Sequence, residues 1–140
     1  MTTLFFILTV FYFMYEFYNL INPKKTFTNI TRYANSDFWT APDKSKIANG
    51  CFYLTFTITY FIWTVIGLCV ATQWYSFLAI FLLSFSVYFL NRIAYNNTQK
   101  MVIHTIDSMI SVLILFFIFM NHFHPEFGLL EWVQSRIFNL

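Results

Sequence analysis

Gly50 to Ala71 reads GCFYLTFTITYFIWTVIGLCVA, 22 residues without a charge. Thr55, Thr57 and Thr59 alternate with apolar residues, a periodicity that taken alone marks a strand. Length overrides it. Strands run about 5–6 residues, whereas a helix needs roughly 20 consecutive apolar residues to cross a bilayer core of about 30 Å. The stretch is therefore expected as a membrane-spanning helix. Cys51 and Cys69 sit near its two ends, and at ~1.5 Å rise per residue they stand roughly 27 Å apart. A disulfide tolerates at most ~7 Å between Cα atoms, so the two do not pair with each other.

Three further apolar runs flank this one. After the short link Thr72-Gln73, a third span is expected over 74–91, so spans two and three form a tight hairpin. A polar connection from Tyr95 to Lys100 leads to a fourth span over 101–120, and Pro125 marks the stop beyond it. Toward the N-terminus, residues 3–21 are interrupted only by Glu16 and Asn19. Nineteen helical residues cover roughly 28 Å, enough for the hydrocarbon core. No basic residue precedes this run and no small-residue cleavage site follows it, so it is read as a retained span rather than a signal peptide.

Residues 22–49 form the one long polar segment, with Lys24, Lys25, Arg32, Lys44 and Lys46 and punctuation at Pro23 and Pro42. Phe27, Ile30, Tyr33 and Ala34 recur at helical spacing, which predicts a short helix at the membrane surface, with Phe38 and Trp39 at headgroup level. Over 126–139 the apolar residues Phe127, Leu129, Leu130, Val133, Ile137 and Phe138, with Leu140, gather on one side of a helical wheel. Glu131, Ser135, Arg136 and Asn139 gather on the other, which predicts an amphipathic interfacial helix. Seven cations lie in the first and third connections against Arg136 alone on the opposite side. That asymmetry places the basic loops in the cytoplasm and both termini on the non-cytoplasmic side.

Composition agrees with an all-α, polytopic membrane fold of four spans in a single domain, 1–140. Hydrophobic residues make up 59% of the chain and charged ones 10%, against about 45–50% and about 25% in soluble domains. Only 3 Gly and 3 Pro argue against a turn-rich barrel. The 20 Phe and 9 Tyr are tolerated in lipid, where apolar continuity decides the structure. A net charge of +2, scattered, offers nothing to nucleic acid.

An ionisable side chain inside a span needs a reason. Glu16, Arg92, His104 and Asp107 all map to the same third of their helices, as do Asn19 and Asn91. On the fourth span His104, Asp107, Ser108 and Ser111 follow i, i+3, i+4, i+7 spacing, one polar stripe that faces protein or a wet cavity. One reading makes this a vestibule, with Glu16 and Asp107 as carboxylates, Arg92 their counter-charge and His104, of ordinary pKa near 6.5, a titratable relay. The plainer reading is a structural ion pair near the interface. His122, His124 and Glu126 are imidazole and carboxylate groups of metal-binding type, but they are fewer than the four ligands of a closed zinc site.

No cofactor is expected. All three histidines lie on or beside the fourth span, so none opposes another across a haem. No nucleophile elbow, phosphate loop or H-E-x-x-H occurs, so no catalytic set is expected. Asn29-x-Thr31 and Asn96-x-Thr98 fit the glycosylation pattern but fall on the cytoplasmic side of this topology. The partners implied are the bilayer and other membrane polypeptides or further copies of the chain. The function expected is that of a subunit or accessory component of a membrane complex or homo-oligomer. The alternative is a small ion channel or proton-linked transporter built on Glu16, Arg92, His104 and Asp107.

Overall fold

The computed structural model describes residues 2–34, 39–40, 44–71 and 73–137. Among them every regular element is helical: α1 (Thr2–Ile21), α2 (Pro23–Ala34), α3 (Lys44–Val70), α4 (Trp74–Ile93), α5 (Asn97–Phe123) and α6 (Leu129–Ile137). Four of them, α1, α3, α4 and α5, are long and apolar enough to cross a membrane. The expectation of an all-helical chain with four helices long and apolar enough to span therefore holds among the described residues. The strand-like threonine spacing is absorbed into α3, where Thr57 and Thr59 turn their hydroxyls onto the carbonyls of Tyr53 and Thr55. This back-bonding is how a helix in lipid satisfies a hydroxyl.

Several boundaries differ from the hydropathy reading. Helix α3 begins at Lys44 rather than Gly50, since no Pro or Gly lies between the two to stop it, and α4 runs on to Ile93. Helix α5 starts at Asn97 rather than Met101. Its cap is Asn96, whose side chain accepts from the Gln99 N–H at 2.8 Å, while Gln99 Oε1 accepts from the Tyr95 N–H at 2.9 Å. This is a variant of the capping box, written in polar residues that hydropathy discounts. At its other end α5 continues to Phe123. The tail is not one helix from 126. Pro125–Phe127 make a 3-10 turn, and Gly128 takes φ 59°, a left-handed break that favours glycine. Phe38, Pro42, Thr72, Phe138, Asn139 and Leu140 lie outside the described residues.

In space the spans run α1–α5–α4–α3. The short link between α3 and α4, residues 71–73, forces the α3–α4 hairpin, whereas the long segment after α1 leaves it free to pack on the last span. The bundle has a loop end, which carries α2, and a terminal end, where α1 starts. Between α1 and α3 aromatic rings close the seam. Tyr12 stacks on Tyr60 with centroids 4.5 Å apart and lies 5.0 Å from Trp63, and Phe5 stacks on Trp63 at 5.4 Å. The Trp63 indole N–H donates to the Phe5 carbonyl at 2.9 Å. Each aromatic pair contributes about 0.5–1.5 kcal/mol beyond area burial.

The driest packing is at the terminal end, where Phe77, Leu115 and Ile118 are fully buried. Phe77 meets Trp63 edge-on at 4.9 Å and lies flat against the backbone of Gly67. The amide of Gln73, buried in the α3–α4 link, donates to the Ile118 carbonyl at 3.2 Å and accepts from Asn121 at 3.1 Å. A polar group buried in the bundle is thereby paired at both ends.

A Cβ on Gly67 would stand 2.2 Å from the Phe77 ring, and that ring, wholly buried, has nowhere to move. Gly67→Ala is therefore expected to cost about 1–3 kcal/mol, an overpacking penalty. Thermal unfolding in detergent reads the loss, and adding Phe77→Leu should recover part of it. A double variant no better than the sum of the two singles would show that the contact is not limiting.

Candidate functional site

The polar stripe of α5 meets α1 at the loop end. Glu16, one turn short of the end of α1, is only 7% exposed. Its carboxyl is surrounded by Ser108 of α5, Asn19 of its own helix and Tyr60 of α3. With His104 and Asp107 it lines a cavity of about 200 Å³ whose walls also include Tyr15, Tyr53 and Thr57. Asp107 has Ser111 beside it. His104 Nε2 lies 3.1 Å from the Asn91 amide nitrogen, and the Asn91 Oδ1 is buried without a hydrogen-bond partner.

Helix α2 roofs the cavity. It turns back after Asn22 and lies across α5, with Thr26 and Ile30 in the cavity wall. The Thr26 hydroxyl donates to Asn19 Oδ1 at 3.2 Å, and the Phe27 ring sits 6.1 Å from the His104 imidazole. The helical spacing read in this segment is thus the signature of a lid. Its role was invisible in sequence because nothing in residues 23–34 specifies which span they cover.

Of the four residues expected to cluster, three do. Glu16, His104 and Asp107 share the cavity, and Arg92 does not. Arg92 is exposed on the last turn of α4, its guanidinium 5.4 Å over the Tyr88 ring one turn earlier. No described carboxylate pairs with it. The inward positions of α4 at this level are Val87 and Asn91, so the polar neighbour that α4 supplies to His104 is an amide. The structure also adds Tyr15, Tyr53 and Tyr60, which composition alone could not separate from the other aromatics.

The cavity is one-sided. On α5 the polar stripe ends at Ser111, and beyond it come Leu115 and Ile118 at zero exposure. On α1 the inward positions beyond Glu16 are Tyr12, packed among rings, and Thr9, fully buried with its hydroxyl unpartnered among the described residues. Two carboxyls and an imidazole in one cavity, with no cation among the described lining residues, form a set that can accept and hold protons. On α5 the stripe has no polar continuation, since Leu115 and Ile118 close that face.

At the opposite end His122 stacks on Phe6 with centroids 3.9 Å apart, while His124 Nδ1 lies 3.1 Å from Glu126 Oε1. Of these, His124 and Glu126 face solvent together and His122 is engaged by a ring. Among the described residues no three His, Cys, Asp or Glu side chains are grouped to hold a metal. Glu126, beyond the last span, is held below the usual carboxylate range, first by its own backbone N–H and then by His124.

No protein-family model, curated protein or solved structure matches the chain.

Two outcomes follow from this geometry. With the Asn91 amide donating, His104 Nε2 is an acceptor and the neutral ring carries its proton on Nδ1. Side-chain ¹⁵N NMR should show that tautomer, perturbed in Asn91→Leu; an Nε2–H signal in the unaltered protein would mean the amide points the other way. In His124→Ala the Glu126 carboxyl should titrate at higher pH than in the parent. It should remain below the usual range, because the backbone contribution persists.

Proposed function

We propose that this chain is a membrane-embedded subunit that works in contact with another membrane polypeptide or with further copies of itself. The observation that carries the reading is the outward face of α3. Cys51, Thr55 and Thr59 stand exposed at i, i+4, i+8 on a helix whose backbone comes closest to α4 and which meets α1 through its rings. Small polar residues in a line let a second helix approach closely and offer it hydrogen bonds. Thr57 and Thr59 bond back to their own helix, but among the described residues the Thr55 hydroxyl has no hydrogen bond. In hydrocarbon such a group has no solvent partner, and a neighbouring helix would supply one. On this reading the basic connections face the cytoplasm, by their excess of Lys and Arg, and α6 lies along the opposite surface, with Arg136 over the Trp132 ring.

A second reading is favoured by one specific observation, the convergence of Glu16, His104 and Asp107 beneath the α2 lid. Intramembrane ionisable groups commonly serve ion or proton movement. Beyond Ser111 the α5 face is apolar, with Leu115 and Ile118 fully buried, so on this reading a pathway is completed between copies or with a partner.

Gentle solubilisation followed by mass determination of the intact assembly separates these readings. A fixed-ratio complex or closed homo-oligomer is expected, and oxidation in the membrane should cross-link through Cys51, with the cross-linked fraction lowered in Thr55→Leu. A monodisperse monomer that never cross-links would sink the subunit reading. For transport, proton flux into liposomes should fall at least tenfold in Glu16→Gln and Asp107→Asn, ΔΔG of about 1.4 kcal/mol or more. Unchanged flux removes both carboxyls from any such mechanism.

A further inference from the structure

The lid helix α2 has a second face. While Thr26 and Ile30 look into the carboxyl cavity, Lys25, Asn29 and Arg32 line a separate cleft of about 520 Å³ between α1, α2 and α3. Its composition is graded. The end formed by α2 carries two cations and an amide, and Asn49 of α3 adds a second amide. The remainder is aromatic, with Phe11 and Tyr15 from α1 and Phe52 and Phe56 from α3. Lys25 Nζ lies 5.8 Å over the Tyr18 ring, which holds its side chain along the cleft. No described carboxylate pairs with Lys25 or Arg32.

We propose that this cleft binds one anionic phospholipid, its phosphate held by Lys25 and Arg32 and its acyl chain laid over Phe11, Phe52 and Phe56 along the seam between α1 and α3. Charge complementarity selects the occupant. Two cations with no carboxylate partner among the described residues stand at the end of two spans, where a headgroup phosphate resides, and guanidinium and ammonium groups are the side chains that bind phosphate best. The aromatic floor distinguishes the ligand from a simple anion, because a phosphate alone would use only the α2 side of the cleft. The seam itself leaves room for a chain, since α1 and α3 meet through rings rather than through close backbones. The inference rests on the four helices crossing a bilayer and not on a protein partner.

Tyr15 and Tyr53 line both this cleft and the carboxyl cavity, their hydroxyls adjoining. A headgroup seated against them therefore lies one side chain from Glu16.

The test uses delipidated full-length protein in mild detergent, titrated with phosphatidylglycerol, with phosphatidylcholine and with inorganic phosphate, and read by native mass spectrometry and thermal shift. Phosphatidylglycerol should bind and stabilise, with phosphatidylcholine and inorganic phosphate far weaker. At about 1 kcal/mol for each cation, Lys25→Gln with Arg32→Gln should weaken phosphatidylglycerol about thirtyfold. Lys25→Arg should restore binding, and Lys100→Gln, outside the cleft, should not change it. Both mutated cations are exposed, so circular dichroism should report an intact fold. Equal binding of the two lipids, or no effect of the double variant, overturns the proposal. Stabilisation by inorganic phosphate equal to that by phosphatidylglycerol overturns it too, assigning the cleft to a free anion. None of these outcomes depends on whether the chain is found in a complex.

Discussion

Hydrocarbon offers no hydrogen-bond partner to a peptide group, and this constraint organises nearly everything in the molecule. It forces the apolar stretches into helices long enough to satisfy their own backbones. It then dictates the fate of each polar side chain those helices carry. Thr57, Thr59, Thr64, Ser84, Ser86 and Thr105 return their hydroxyls to carbonyls of the preceding turn. The Trp63 indole and the Gln73 amide find backbone carbonyls on other helices. Glu16, His104 and Asp107, which a backbone carbonyl of the preceding turn does not satisfy, share a cavity at the loop end.

Because lipid is as apolar as the side chains, burial alone does not hold these helices together. Shape and interhelical contacts do. The terminal end uses a flat ring against a glycine, Phe77 on Gly67, and ties the hairpin to the last span through Gln73 and Asn121. The loop end is looser, propped by stacked rings and roofed by α2. This difference explains why both cavities that border α2 lie at the loop end, and why the dry, fully buried side chains sit at the other.

Helix α2 joins these cavities. Its residues are divided between two environments by helical geometry alone, Thr26 and Ile30 inward and Lys25, Asn29 and Arg32 toward the cleft. A seated headgroup would hold the lid in place by its charge, and the tyrosine wall would transmit any displacement toward the carboxyls. Physical continuity of this kind is a route for coupling when the lid has two positions.

The sequence by itself determined the number and type of the elements. Each span is long enough to cross the hydrocarbon core and nearly free of charge, so no tertiary context was needed to make it a helix. It also identified Glu16, His104 and Asp107, because an ionisable group in an apolar run is conspicuous and the α5 stripe follows helical spacing. Only the tertiary structure decided the rest. Arg92 looked like a counter-charge because hydropathy gives depth but not azimuth, and its place about 100° around α4 from the inward Asn91 put it outside on Tyr88. The order α1–α5–α4–α3 followed from packing once the long polar segment left α1 unconstrained. The lid and the lipid cleft were hidden for the same reason: residues 23–34 encode two faces, and only the spans beneath them decide what each face covers.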